Sequence, residues 1–178
     1  MDTPQTPRIY VACLASYNAG ILHGAWIDLD GSESIEDRIA EILKASPEED
    51  AEEWAVHDHE SCGHLSEYAG TDTLKAIQEA YEATENEGIE WGAFCEYCSH
   101  MGHDIAADAV AMFSEAYAGT CDSLVEWCEN FLEETGQLES IPESLRYYFD
   151  YAAFARDMEI SDVFTIEHGG EVLVFWNH

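Results

Sequence analysis

Apolar and polar positions alternate from Arg8 to Ala15, break over Ser16-Tyr17-Asn18-Ala19-Gly20, and resume from Ile21 to Leu29. That pattern predicts two strands joined by a turn, with Trp26 and Ile27 inside the second strand. From Ser34 the period lengthens. Ile35, Ile39, Ile42 and Leu43 fall on one helical face, Ser34 can cap it, and Asp37 stands where a capping box usually carries Glu or Gln. Past an acidic loop from Pro47 to Glu53, Trp54-Ala55-Val56-His57 reads as a third strand. The middle of the chain is helical in period: Leu74, Ile77 and Tyr81 share one face, and Ile105, Ala109, Met112, Phe113 and Tyr117 share another. Leu124, Trp127, Cys128, Phe131 and Leu132 follow the i, i+3, i+4, i+7, i+8 spacing, with Asp122 as a cap and Gly136 as a stop. Pro142 suits a helix start, and Tyr151, Phe154, Ala155 and Met158 define a further amphipathic stretch. Asp162 to Ile166, His168-Gly169-Gly170 and Val172 to Trp176 predict a closing hairpin. The expected class is α+β, as a chain of three small domains: an N-terminal antiparallel sheet plus helix over 1–66, a helical middle over 67–110, and C-terminal helices plus hairpin over 111–178.

Charge changes this picture more than any motif does. The chain has 38 acidic and 6 basic residues, a formal net charge of −32. Arg8, Arg38, Lys44, Lys75, Arg146 and Arg156 are scattered, so no basic stripe exists to bind nucleic acid or an anionic membrane. Between Lys75 and Arg146 there is no Lys or Arg, yet sixteen carboxylates lie there. A segment so one-sided normally stays unfolded, but this one carries Leu, Ile, Phe, Trp and Tyr at helical spacing. Crowding that charge into one globule, with a radius of gyration of about 16 Å, costs more repulsion than spreading it along an elongated chain. Duplex DNA carries one charge per roughly 1.7 Å of axis, so 32 net charges match about 54 Å of duplex, or roughly 16 base pairs.

Glu79, Glu82 and Glu85 recur every three residues, and Glu126, Glu129 and Glu133 at three and four, in rows opposite the apolar faces. With Glu87, Glu90, Asp104, Asp108, Glu115 and Asp122 they form the candidate set of carboxylates displayed where a partner expects phosphates. An ordinary solvated helix face intersperses lysine for i, i+4 pairing; these rows do not.

Catalytic patterns are weak. Asp104 with Asp108, or Asp58 and Glu60 around His59, are pairs that arise by chance among 38 carboxylates. There is no glycine-rich phosphate loop, no G-x-S-x-G and no H-E-x-x-H, and the expectation is a protein without catalysis or cofactor. Cys95, Cys98, His100 and His103 have ligand types that suit zinc, with Cys62, His64, His57 and His59 as partners from another segment. Four ligands within nine residues strain around one ion, however, and no metal is expected. No apolar run reaches the ~18 residues of a membrane span, and Met1 to Arg8 lacks a signal-peptide layout. The expected home is the cytoplasm, with the six cysteines reduced.

The C-terminal segment is more specific. Leu145-Arg146-Tyr147-Tyr148-Phe149-Asp150-Tyr151-Ala152-Ala153-Phe154-Ala155-Arg156-Asp157-Met158, preceded by Glu133 to Leu138 and Ile141-Pro142, resembles the antirestriction motif region of the ArdA family. Tyr10-Val11 through Tyr17-Asn18-Ala19-Gly20 to Gly24-Ala25-Trp26 resembles its opening hairpin. Trp54 to Asp58 with Glu67-Tyr68 resembles its next block, and His168-Gly169-Gly170 to Trp176 its closing strand. The resemblance implies an elongated three-domain dimer that mimics bent B-form DNA and occupies the DNA groove of type I restriction–modification enzymes. Such proteins are carried by mobile elements and protect incoming DNA. On that reading Tyr148, Asp150, Tyr151, Phe154, Arg156 and Asp157 belong to the motif and its core and dimer contacts, with Arg156–Asp157 a local or intersubunit pair. Two departures stand out: the Cys95–His103 cluster is foreign to the pattern, and Met158 replaces a usual leucine, a conservative swap. Two other readings remain open from the residues: an acidic module for a different basic protein, and an ordinary domain coated with acid as salt adaptation.

Overall fold

The computed structural model describes residues 6–177, so the reading of Met1 to Arg8 as no signal peptide falls largely outside the described residues. Two three-stranded antiparallel sheets organise the chain, which divides between Ala111 and Met112 into two compact units. The class is α+β, as the periodicities predict.

In the first unit β1 (Arg8–Cys13) is the central strand, flanked by β2 (Gly24–Asp28) and β3 (Trp54–Glu60). Ile9, Val11 and Cys13 are fully buried while Arg8 and Tyr10 keep partial exposure, the alternation of a sheet covered on one face. The helix α2 (Ile35–Lys44) supplies the cover, burying Ile35, Ile39 and Ile42. Its Ser34 Oγ accepts the Asp37 amide at 3.2 Å, as the sequence predicts. Between β1 and β2 the expected turn is a short helix, α1 (Leu14–Asn18), left through Gly20 at φ 78°. The reason is Ser16, which is fully buried and shares a 2.8 Å hydroxyl contact with Ser46; satisfying that buried oxygen pulls the connection inward. Tyr10 pairs with Asp58 and Val11 with Val56, leaving His57 as an extra, bulged residue on β3 whose ring meets Tyr17 edge-on.

Two helices follow: α3 (Thr71–Glu87), burying Leu74, Ile77, Ala80 and Thr84, and α4 (Trp91–Met101), burying Trp91, Ala93, Phe94, Tyr97 and Cys98. Each ends on a left-handed glycine, Gly88 and Gly102. The Trp91 indole donates to the Ser61 carbonyl at 2.7 Å and so ties the start of α4 to the loop after β3.

The helix expected from Ile105 to Tyr117 is shorter, α5 (Ala107–Ala116). Ile105 lies outside it, Met112 is 44% exposed, and Tyr117 is already strand. Tertiary pairing overrides the local period here: β4 (Tyr117–Cys121) is a third strand beside the closing hairpin, β5 (Val163–His168) and β6 (Glu171–Trp176), in the order β4-β6-β5. The predicted C-terminal hairpin is therefore two-thirds of a sheet. Its two-residue turn places Gly169 at φ 60° and Gly170 at φ 91°, a conformation that side chains disfavour. Against this sheet pack α6 (Leu124–Glu134) and α8 (Tyr151–Ser161), with α7 (Glu143–Arg146) and a 3₁₀ turn, Gln137–Ser140, between them. Trp127, Cys128, Ala155, Met158, Val163 and Val174 form the core. The cap of α6 is Ser123 and not Asp122. Ser123 Oγ accepts the Glu126 amide at 3.2 Å, while the Glu126 carboxylate accepts the Asp122 amide at 3.1 Å. This S-x-x-E box satisfies two backbone donors, which an Asp122 cap would not do.

Ala118 is the bulged residue of β4, because Tyr117 pairs with Phe175 and Gly119 with Val174. Its carbonyl is taken by the Trp127 indole at 3.1 Å, so one bond fixes both the bulge and the pitch of α6. Trp127→Phe should keep the ring stack on Phe131 yet leave that carbonyl without its donor. Urea unfolding should report a loss of about 1–3 kcal/mol in the second unit; an unchanged midpoint would remove the bond from any structural role.

Candidate functional site

All sixteen carboxylates between Lys75 and Arg146 are exposed. Glu79 and Glu82 stand on α3 opposite its buried face, Glu85 and Glu87 are exposed in its last turn, and Glu90 is the residue that starts α4. Asp104 lies between α4 and α5, and Asp108 and Glu115 on α5. Asp122 precedes α6, whose outer side carries Glu126, Glu129 and Glu133 while Trp127, Cys128 and Leu132 point inward. Each row is thus held by a helix that is itself pinned by its apolar side. Both units share the charge: 24 acidic against 4 basic residues up to Ala111, and 14 against 2 from Met112 on.

Five of the six cations are engaged within the chain. Arg8 binds Glu60 at 2.7 Å and lies over the Trp26 ring; Arg38 binds Glu33 at 2.9 Å and Glu41 at 2.6 Å; Lys75 binds Glu36. Arg146 donates to the Ile141 and Glu139 carbonyls, and Arg156 pairs with its neighbour Asp157 at 3.2 Å. The Lys75 ammonium holds the Glu36 carboxyl below its ordinary range, and Glu36 in turn raises Lys75. The contribution of this exposed pair is therefore present between the ordinary carboxylate and lysine ranges. It is lost as pH falls through the lowered Glu36 value or rises through the raised Lys75 value. These pairs neutralise α2 and the start of α3, leaving the rest of α3 and α4 to α6 to their carboxylates.

Two carboxylates have structural duties that spacing does not reveal. Glu126 closes the α6 capping box. Glu82 accepts from Gln78 at 3.2 Å and presses against Gly31, where an added Cβ would collide with its carboxylate and where φ is 78°.

The motif residues divide by role. Asp150 caps α8 by accepting the Ala153 amide at 2.9 Å. Phe154 packs on the core, and Tyr151 meets Phe149 edge-on. Arg156 and Asp157 are on the exposed side of α8. Tyr148 is 78% exposed and stands beside Tyr147, at 89%, and Leu145, at 56%, an apolar patch among charges.

Cys95, Cys98 and His100 lie on α4, with His103 just after it. Among the described residues no group of three or more His, Cys, Asp or Glu side chains is placed to hold a metal ion. All six cysteines are free thiols. Burial pushes Cys62, Cys95 and Cys98 each up to about 12, with nearby thiols adding to the effect at Cys95 and Asp108 at Cys98. At pH 8 only about one in ten thousand such groups is thiolate. Iodoacetamide should leave Cys62 and Cys98, both 2% exposed, unmodified in the native protein and label them fully in denaturant, with half-buried Cys95 reacting slowly; rapid native labelling of Cys62 and Cys98 would contradict their burial. Cys62, Cys95 and Cys98 also line one cleft of about 760 Å³ within the first unit, together with Leu65, Ile77 and Ile105.

Fold and surface together define an α+β protein with a strongly anionic surface carried largely on its helices. The family model for antirestriction protein (ArdA) matches residues 9–172. The chain belongs to this family of antirestriction proteins, whose members inhibit restriction enzymes. No curated protein matches it. Among the described residues no helix is long and apolar enough to cross a membrane.

Proposed function

We propose that this antirestriction protein works as a DNA mimic: its carboxylates occupy the DNA groove of a type I restriction–modification enzyme and exclude the duplex. The observation that carries the reading is the run of sixteen exposed carboxylates, Glu79 to Glu143, with no Lys or Arg among them. Lysines and arginines that grip phosphates read charge and position rather than bases. A rigid polyanion therefore suffices, without catalysis, metal or cofactor. Gathering the charges on prefolded helices keeps the ordering cost of binding low. The exposed Leu145, Tyr147 and Tyr148 patch supports pairing with a second copy, and the cytoplasm, where restriction enzymes meet incoming DNA, is the site of action.

Binding of the purified protein to a type I modification core enzyme, with increasing unlabelled duplex as competitor, tests this directly. Binding should be mutually exclusive with DNA that lacks the recognition sequence and should weaken steeply with salt. Salt-insensitive binding, or a ternary complex with DNA, would sink it. Equal binding to unrelated basic proteins would assign the surface to a general acidic module. Because contributions are spread, single changes such as Glu85→Gln or Glu129→Gln should each weaken binding by about twofold or less. Changing Glu79, Glu85, Glu129 and Glu133 together should weaken it by more than tenfold, taking each phosphate-like contact at about 0.4 kcal/mol. Melting curves separate salt adaptation: a mimic folds at low salt and gains stability as screening rises, whereas a salt-adapted domain requires molar salt.

A further inference from the structure

One feature of the first unit has no counterpart on a DNA surface. The loop after β3, the first turns of α3, the second half of α4 and the α4–α5 connection enclose the cleft of about 760 Å³. Its apolar wall is made by Leu65, Ile77 and Ile105, with the thiols of Cys95 and Cys98. Its carboxylates are Asp72 and Asp104, both exposed, with the imidazoles of His64 and His103 in the same lining, and no lysine or arginine among the described residues lines it. DNA offers phosphates on a convex ridge; here carboxylates stand over an oily hollow.

We propose that this cleft is an anchor for an arginine side chain of the basic partner, its methylene stem on Ile77 and Ile105 and its guanidinium at Asp72 and Asp104. Arginine fits better than lysine. Its head is flat, weakly hydrated and able to donate to two carboxylates at once, whereas an ammonium resists leaving water for an apolar hollow. The anchor rests on the reading of a basic partner and adds to it a contact that is not imitation of DNA. The stem packed in the hollow adds an apolar part that salt does not screen, so this contact weakens less with salt than the helical rows do.

The test uses the full-length protein alone, which separates it from the DNA-competition experiment: either result can fail while the other stands. The peptide acetyl-Gly-Arg-Gly-amide is titrated in about 0.3 M salt, where exposed charges are screened, and backbone amides are followed by NMR. Saturable shifts should centre on Gly63, Ser99 and Ile105. Replacing arginine by citrulline in the peptide should weaken binding by about tenfold, the loss of a charge-assisted contact, and lysine should bind more weakly than arginine. Ala76→Trp, at a half-buried position lining the cleft, should abolish the shifts. Asp104→Asn, at an exposed site that does not endanger folding, should weaken them severalfold. Shifts scattered along Glu79 to Glu133 with the cleft amides still, equal binding of arginine and citrulline peptides, or unchanged binding by Asp104→Asn would each overturn the anchor.

Discussion

Like-charge repulsion without nearby counterions is the constraint to which the rest of this molecule answers. Neighbouring carboxylates on one helix face destabilise that helix by a few tenths of a kcal/mol each; α6 contains no lysine, and the one lysine of α3, Lys75 in its first turns, is bound to Glu36 and reaches only as far as Glu79. What holds them is the opposite face. Leu74, Ile77, Ala80 and Thr84 on one helix, and Trp127, Cys128 and Leu132 on the other, are buried against neighbours, and each fully buried large side chain contributes about 1.5–3 kcal/mol. Apolar burial thus outweighs the charge locally, helix by helix, which is why the anionic surface can be ordered at all. The cations are placed with the same economy. Arg8, Arg38 and Lys75 bind carboxylates of the first sheet and α2, so they neutralise the scaffold and leave the display surface alone.

Much of this was legible in the sequence. The strands β1, β2, β5 and β6 follow from period-two alternation and the Gly169-Gly170 turn, and α2 and α6 from period and caps, because those signals are local. The elements that escaped depend on distant partners. Tyr117 falls on a helical face by its spacing, yet Tyr117 to Cys121 becomes β4 because β6 offers it a ladder and Trp127 accommodates its bulge. The helix α1 replaces a turn because Ser16 needs Ser46, thirty residues away. Asp122 looked like a cap because Asp is a good one; Ser123 prevailed because Glu126 completes a box only with it.

The candidate surface was legible for a different reason. Exposure of carboxylates follows from desolvation cost alone, so counting residues anticipates it without knowledge of the fold. The internal duties of Glu82 and Glu126 were not visible, since each depends on a contact made by a loop. The cleft was beyond reach as well: Cys62 and Cys95 are brought to one wall only after Trp91 binds the Ser61 carbonyl.

Each sheet has three strands, so β2, β3, β4 and β5 are all edges, the outer side of β3 being partly covered where the Val56 amide donates to the Glu67 carbonyl at 2.9 Å. Such edges invite another copy to extend the sheet, the first step toward fibres. Here Asp28 lies on β2, Asp58 on β3 and Glu167 on β5, so copies approaching through these three edges bring carboxylates together. The arrangement is a colloidal safeguard, opposing polymerisation of the protein through three of its four edge strands.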